Sequence, residues 1–303
     1  MKSASSEQRR MRPLLGTFVE ISVRGAPECV LHRAIDRGFA AIERVHRLMS
    51  FHDPASDVSK LNRAKAGRIV PVHAWTHQVL RHAQRFSVAS DGSFDITIAP
   101  ALVRWKFLPR HDKTIRPRDR ATNYQQIELL TGNRVRLNRD GMLIDLGGIA
   151  KGFAVDKAVA ELNKCGVDSG LVNAGGDLRT FGPHAYPVAI RDPQLNGTAS
   201  ARLLLPEHAL ATSAHYFAQK KWRGREVTPI IDPHQRKFDH SYSSVSVLAR
   251  TCMCADALTK IVMLRGEQAF PLLKKLRVTA ILITTDGEIL KTVPTTTYAR
   301  HLP

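Results

Sequence analysis

The segment Ile144-Asp145-Leu146-Gly147-Gly148-Ile149-Ala150-Lys151-Gly152 limits what this chain can fold into more than any other, because an apolar run, two glycines and a lysine lead into a helical pattern. Met142, Leu143, Ile144 and Leu146 read as a buried strand, and Ala154, Val155, Ala158, Val159 and Leu162 then recur at helical spacing, so the glycine loop opens a helix. A helix start exposes unpaired backbone N–H groups and the positive end of a dipole. Glycines let an anion approach those groups, and Lys151 adds a charge. Phosphate is the natural guest of such a loop. The segment matches neither G-x-x-x-x-G-K-[ST] nor G-x-G-x-x-G, however, and a tight turn whose glycines only permit close packing accounts for it as well.

Elsewhere the pattern mixes helices with antiparallel strands. Leu14 to Val23 reads as a strand, and Leu31, Ile35, Ile42, Val45 and Met49 mark one face of a long helix. Phe51 to Asn62 is full of turn formers and reads as a loop, followed by a helix from Trp75 to Val88. Ile127–Leu130, Arg134–Leu137 and Met142–Leu146 are apolar runs separated by turn residues, the signature of a meander. Further strands are expected at Ser169–Asn173, Tyr186–Arg191, Ala199–Leu205, Ser243–Ala249 and Thr279–Thr284, with helices at Cys254–Leu264 and Glu267–Leu276. Regular β-α alternation is missing, so the class is α+β, with largely antiparallel sheets and packed helices. Residues 1–11 read as a flexible polar tail, 12–303 as a single domain, and Leu108–Thr122 as an inserted tract rich in Arg, Pro and Asp.

Charge and cysteines narrow the function classes. Lys and Arg total 45 against 27 acidic residues, a formal charge of +18, which attracts anions of any kind without choosing among them. The basic residues, densest between Arg104 and Arg139, show no aromatic-interleaved nucleic-acid module. The four cysteines, Cys29, Cys165, Cys252 and Cys254, have neither zinc-site nor disulfide-framework spacing. Reduced thiols are expected, with Cys252-Met253-Cys254 entering a helix. The polar start offers no signal-peptide run, and no stretch has the length of a membrane span. As written, the chain is expected in the cytoplasm, or in the periplasm if a leader is missing.

A set of polar or glycine-rich segments, each at the edge of an apolar one, carries a resemblance that covers nearly the whole chain. In order they are Phe51–Asn62; Asp91-Gly92-Ser93-Phe94-Asp95-Ile96-Thr97-Ile98-Ala99-Pro100 with Trp105; Asp145–Gly152; Leu171-Val172-Asn173-Ala174-Gly175-Gly176-Asp177-Leu178; Ala211-Thr212-Ser213; Ile230-Ile231-Asp232-Pro233; and Ala255-Asp256-Ala257-Leu258. Together they resemble the FAD:protein FMN transferases (ApbE-type flavin transferases), which move FMN from FAD onto a hydroxyl of an acceptor flavoprotein. The resemblance implies a flavin site between the N-terminal and C-terminal portions. It implies flavin or FAD contacts at Leu15, His52, Ser93, Phe94, Asp95, Asp145, Lys151 and Ile230, with the His52 ring suited to stacking on isoalloxazine. Read without the family, Phe94 is a core residue and Asp95 caps a turn.

FMN transfer is phosphoryl-type chemistry, and a divalent cation neutralises the charge well. The resemblance implies Mg²⁺ held by the Gly148 carbonyl, by Asp256 and by a threonine whose place is taken by Lys260. A protonated lysine has donors and no lone pair, so it cannot ligate a cation. Three outcomes follow, in order of expectation. Lys260 points away while Thr259 supplies the oxygen; Lys260 supplants the metal as the phosphate's counter-charge; or turnover is lost. Asp256 has a plainer reading as a helix N-terminal residue favoured by the dipole.

Thr228-Pro229 stands where the family usually has histidines, leaving His215, His234 or His240 to be borrowed as a base. Gln235-Arg236 and Ala214 depart from the family pattern as well. The expected activity is Mg²⁺-dependent transfer of FMN from FAD to a Thr or Ser of an acceptor flavoprotein with release of AMP, and Asp256 is the expected catalytic residue. The alternative is a catalytically impaired FAD-binding protein of the same fold, motivated by Pro229 and Lys260. A nucleic-acid-binding module would follow from charge alone and explains none of the matched segments.

Overall fold

The computed structural model describes residues 7–110, 123–192, 199–214, 219–234, 241–292 and 300–301. The strands are β1 (Glu7–Leu14), β2 (Thr17–Arg24), β3 (Ile69–Pro71), β4 (Ile127–Leu130), β5 (Arg134–Leu137), β6 (Ser169–Ala174), β7 (Asp177–Phe181), β8 (Tyr186–Arg191), β9 (Ala199–Leu205), β10 (Ala209–Ala214), β11 (Lys220–Trp222), β12 (Arg225–Val227), β13 (Tyr242–Ala249), β14 (Thr279–Thr284), β15 (Ile289–Lys291) and β16 (Arg300–His301). The helices are α1 (Glu28–Met49), α2 (Asp57–Arg63), α3 (Ala74–Ala89), α4 (Ala99–Arg104), α5 (Ala150–Lys164), α6 (Cys252–Arg265) and α7 (Phe270–Leu276). The α+β class expected from the sequence is the one found.

An eight-stranded sheet in the order β1-β2-β6-β7-β10-β13-β14-β15 forms the spine, and every ladder in it is antiparallel. Helices α5 and α6 cover one face, with α1 packed on α5, because Leu31, Ile35, Ile42, Ala158, Leu162, Leu258 and Ile261 line up their apolar stripes against strand residues such as Val172 and Val247. The alternate side chains of the same strands, Leu178, Leu210, Leu248, Ile281 and Ile283, point the other way. They bury a second, smaller core against Val188, Ile190, Leu203 and Leu205 of β8 and β9.

Several elements differ from their sequence expectation. Glu7 to Met11 belong to the edge strand β1 rather than to a polar tail. The strand is polar because its backbone, not its side chains, carries the pairing, with register from Glu7↔Arg24 to Leu14↔Thr17. Its charges are matched laterally, Arg9 to Glu20 at 2.6 Å and Arg10 to Asp36 across to α1. Charged edge strands of this kind resist unwanted pairing. Residues 1–6 lie outside the described residues, as does the part of the Leu108–Thr122 tract beyond Arg110.

The expected strand Leu14–Val23 is broken by a two-residue turn. Leu15 and Gly16 have φ of 56° and 71°, the left-handed pair that a primed hairpin turn demands. The loop Phe51–Asn62 closes into α2 from Asp57, with Ser56 Oγ accepting from the Ser59 N–H at 3.0 Å. Met142–Leu146 is extended but joins no ladder. Its backbone is satisfied instead by the Asn62 side chain, which donates to the Ile144 carbonyl at 2.9 Å and accepts from the Ile144 N–H at 2.8 Å, while the Asp145 N–H reaches the Ile96 carbonyl at 2.8 Å.

Candidate functional site

The starts of α5 and α6 meet head to head, and each helix is capped by a carboxylate from the other. Asp256 of α6 accepts from the Gly152 N–H of α5 at 3.0 Å, and Asp156 of α5 accepts from the Cys252 and Met253 N–H groups of α6, both at 2.9 Å. Reciprocal capping supplies partners for the orphan donors of both helices and fixes them together. Gly152 has to be glycine at this crossing, since a Cβ there would lie 2.3 Å from the Cys252 carbonyl oxygen. The expectation of open N–H groups at this glycine loop is therefore met only in part. The Ile149 and Ala150 N–H groups bond the Leu146 carbonyl, and the Gly147 N–H bonds Asp145.

Beside this junction, Lys151 of α5 donates to Asp177 at 2.6 Å, and Lys260 of α6 donates to the other oxygen of Asp256. Asp177 is the first residue of β7, delivered by the β6–β7 turn, in which Gly175 and Gly176 have φ of 65° and 100° and the Gly176 N–H is held by Asn173 Oδ1 at 2.9 Å. The four charges are layered. The carboxylates of Asp177 and Asp256 are 1% and 0% exposed, whereas the ammonium-bearing side chains of Lys151 and Lys260 are 34% and 18% exposed and line a cleft of about 1370 Å³. Acid is at the back and base at the front. Burial works against the Lys151 charge, but Asp177 and Asp256 outweigh it and hold the ammonium above its ordinary range. Asp177 is raised by burial and by the Asp256 carboxylate. Asp256 is opposed by burial, yet Lys260 and Lys151 hold it below the usual carboxylate value.

The cleft gathers most of the residues expected for a flavin site. Leu15, Ser93, Phe94, Asp95, Asp145, Gly148, Lys151, Ile230 and Lys260 all line it, and they come from both the N-terminal and the C-terminal portions. Leu15 holds its place at the cost of a left-handed backbone, which an L side chain adopts rarely and which clusters at functional positions. Phe94 is both cleft wall and core, edge-on to Phe86 with ring centroids 6.1 Å apart. Asp95 caps the short turn at Ile96–Ile98, accepting from the Thr97 N–H and hydroxyl at 2.8 and 2.7 Å, so the plain reading of this residue is also true. Burial raises both Asp95 and Asp145 above the usual carboxylate range.

His52, by contrast, lines an adjoining pocket of about 720 Å³ with Arg104, Phe107 and Leu108, and the last two residues wall both spaces. His234 donates through Nε2 to the Asp91 carbonyl at 2.9 Å, and Pro229 lines the cleft with nothing titratable. His215, His240, Gln235 and Arg236 lie outside the described residues. Cys252 and Cys254 are free thiols, both raised by burial, Cys254 to about 12, which is the profile of inert packing residues rather than redox groups.

The expected Mg²⁺ ligands do not form a cation site. Both oxygens of Asp256 are engaged, by Lys260 and by Gly152, and the Thr259 hydroxyl is turned to its own helix, 2.7 Å from the Asp256 carbonyl and 2.7 Å from Ser213 Oγ. Thr259 thus supplies no oxygen to the cleft, and Lys260 points toward the carboxylate rather than away, against the first of the three outcomes expected. Asp256 is not a dipole residue of its own helix but the cap of another. A hard cation needs free oxygen donors, and the residues present do not offer them at Asp256. Sequence reasoning singled out neither Asp177 nor Asp156 as a partner. Asp177 follows two glycines in a matched segment, which was a signal; Asp156 sits in a helix with none.

An α+β scaffold with reciprocally capped helices here turns two ammonium groups into a large cleft, an arrangement with the room and the charge for a bulky anionic ligand. The family model described as the ApbE family matches residues 15–283, so the chain belongs to the ApbE family of flavin transferases. An FAD:protein FMN transferase of Rhodobacter capsulatus is 30% identical over 292 residues, covering 92% of this chain, which spans 56% of that relative's length. One from Vibrio cholerae is 29% identical over 272 residues, 84% of this chain and 80% of the relative. Among solved structures, an ApbE protein of Thermotoga maritima superposes with a TM-score of 0.86 at 25% identity, over 95% of this chain and 97% of that one. Vibrio cholerae flavin transferase ApbE superposes with a TM-score of 0.81 at 22% identity, over 96% and 98% of the two chains, and shares the fold.

Proposed function

We propose that this protein binds FAD in the cleft and transfers its FMN portion to a Ser or Thr hydroxyl of an acceptor flavoprotein, releasing AMP. The observation that carries the reading is the layering of Lys151 and Lys260 in front of Asp177 and Asp256, because it offers two ammonium groups to the cleft and sets their carboxylate partners behind them. In this reading Leu15, Phe94, Asp145 and Ile230 hold the flavin, Ser93 and Asp95 shape the wall beside it, and the two ammoniums meet the pyrophosphate. The acceptor oxygen attacks the FMN phosphorus, a new P–O bond forms, and the bond to the AMP phosphate breaks with its electron pair leaving on AMP. Ammoniums already in place stabilise the charge that develops at no cost in reorganisation. Asp256, Thr259 and Lys260, which were expected around Mg²⁺, are engaged with one another and with Gly152 and Ser213 instead.

The test is incubation with FAD and a panel of Ser- and Thr-bearing flavoprotein acceptor domains, following AMP by chromatography and flavin on the denatured acceptor by fluorescence. AMP in proportion to acceptor-bound flavin is expected. FAD binding with neither product would favour the alternative of an impaired FAD-binding protein, for which Pro229 in the cleft wall gives a specific motive. Among the described residues no helix is long and apolar enough to cross a membrane.

A further inference from the structure

We infer that the Lys260 ammonium takes the place of a divalent cation in this protein, so that FAD is held and FMN is transferred without one. The inference rests on the transferase reading above and adds what neutralises the phosphates.

Charge balance carries the argument. Asp177 and Asp256 are two buried carboxylates, and with the family's threonine at position 260 only Lys151 would face them, leaving one negative charge uncompensated and a reason for a cation to bind. With lysine the cluster has two carboxylates and two ammoniums and is neutral before any ligand arrives. Buried charges persist when they are paired and hydrogen-bonded, and this cluster already meets that condition. The stem of Lys260 runs across the glycine turn, since a Cβ at Gly148 would be 3.8 Å from Lys260 Cε and 3.5 Å from the Phe94 ring. The amine is thus delivered to the place where the family's carbonyl, carboxylate and hydroxyl would converge.

The remaining oxygen does not rescue a cation site. Asp177 Oδ1 is the one buried carboxylate oxygen of the cluster without a hydrogen-bond partner, but the same carboxylate is bonded to Lys151 and lies within the field of Lys260. A divalent ion there would meet two ammoniums in a shielded site, where like charges repel strongly. Lys260 takes no part in the proton transfer. It shifts from Asp256 toward the phosphate oxygens as they arrive, the P–O bond to AMP breaks as the bond to the acceptor oxygen forms, and the hydroxyl proton leaves to water.

The experiment compares the full chain and its Lys260→Thr variant, each with FAD, in chelator and in Mg²⁺, reading FAD affinity by calorimetry and transfer by AMP release. Mn²⁺ bound in the FAD complex is read separately by electron paramagnetic resonance. The unaltered chain is expected to bind FAD and release AMP equally in chelator and Mg²⁺, and to hold no Mn²⁺ beyond what free FAD holds. Lys260→Thr should weaken FAD binding in chelator by about tenfold or more, the worth of one charge-assisted contact, and recover with Mg²⁺. A Lys260→Arg variant, which keeps the charge, covers the case in which the threonine variant does not fold and is expected to stay indifferent to chelator. FAD binding or AMP release by the unaltered chain that requires Mg²⁺, or a tightly held Mn²⁺, would overturn the inference while leaving the transferase reading intact. No FAD binding under any condition would overturn the transferase reading itself.

Discussion

Lys151→Met is expected to weaken FAD binding and to remove a large share of the fold's stability at once. The ammonium has two duties, facing the cleft and answering Asp177 at 2.6 Å. Loss of a charge-assisted contact to phosphate weakens binding by one to two orders of magnitude, about 1.5–3 kcal/mol. Breaking the pair also strands a carboxylate that is 1% exposed, and removing one partner of a buried ion pair costs about 3–5 kcal/mol. The partial exposure of Lys151 puts the expected loss near the lower end, about 3 kcal/mol. The loss should depend on pH. In the variant, Asp177 is still raised by burial and by Asp256, so the folded state binds the proton more readily than the unfolded chain, and stability rises as the pH falls. Urea unfolding at neutral pH and near pH 5 checks the sign, with the variant closer to the parent at the acid end. A variant equally destabilised at both, or one that keeps its FAD affinity, would contradict the role given to Lys151.

Asn62→Ala should be the most costly single change away from the charged cluster. The Asn62 amide takes the place of a neighbouring strand for Ile144, closing two hydrogen bonds at 2.8 and 2.9 Å with a residue whose side chain is wholly buried. Alanine would leave both an N–H and a C=O without partners, and each unsatisfied buried group costs about 1–3 kcal/mol, so a loss of about 2–5 kcal/mol is expected. The damage should reach the site, because Ile144 leads directly into Asp145 and the glycine turn that presents Lys151. The check is a joint measurement, the urea midpoint together with FAD affinity, and both should fall. A fall in stability with unchanged FAD affinity would mean that the segment is structural only.

The same contact shows why part of the fold was legible in the sequence and part was not. Helices α1 and α3 announce themselves because each buries one stripe, and strands β13 and β14 because they carry short apolar runs buried on both faces, signals that are written locally. Met142–Leu146 carries the same apolar signal as a strand, but its pairing partner is one side chain far away in sequence, and composition does not reveal that. Strand β1 fails in the opposite sense. Its residues are polar because it lies at the sheet edge, so pattern alone makes it a tail. Within the site, Lys151, Asp145 and Phe94 were legible through the segments that contain them. The reciprocal capping of α5 and α6 and the pairing of Lys151 with Asp177 join residues from separate elements, and only the packing of those elements brings them together. His52 stood in a matched segment, and its pocket adjoins the main cleft, sharing Phe107 and Leu108 with it.

The central claim is that two ammoniums backed by hidden carboxylates hold the pyrophosphate of a flavin dinucleotide. Calorimetric titration of the unaltered chain with FAD and with riboflavin, side by side at one ionic strength, tests it most directly. FAD should bind at least about tenfold more tightly than riboflavin, because phosphate contacts with charged donors account for the difference. Equal affinity for the two, or none for FAD, would contradict the claim.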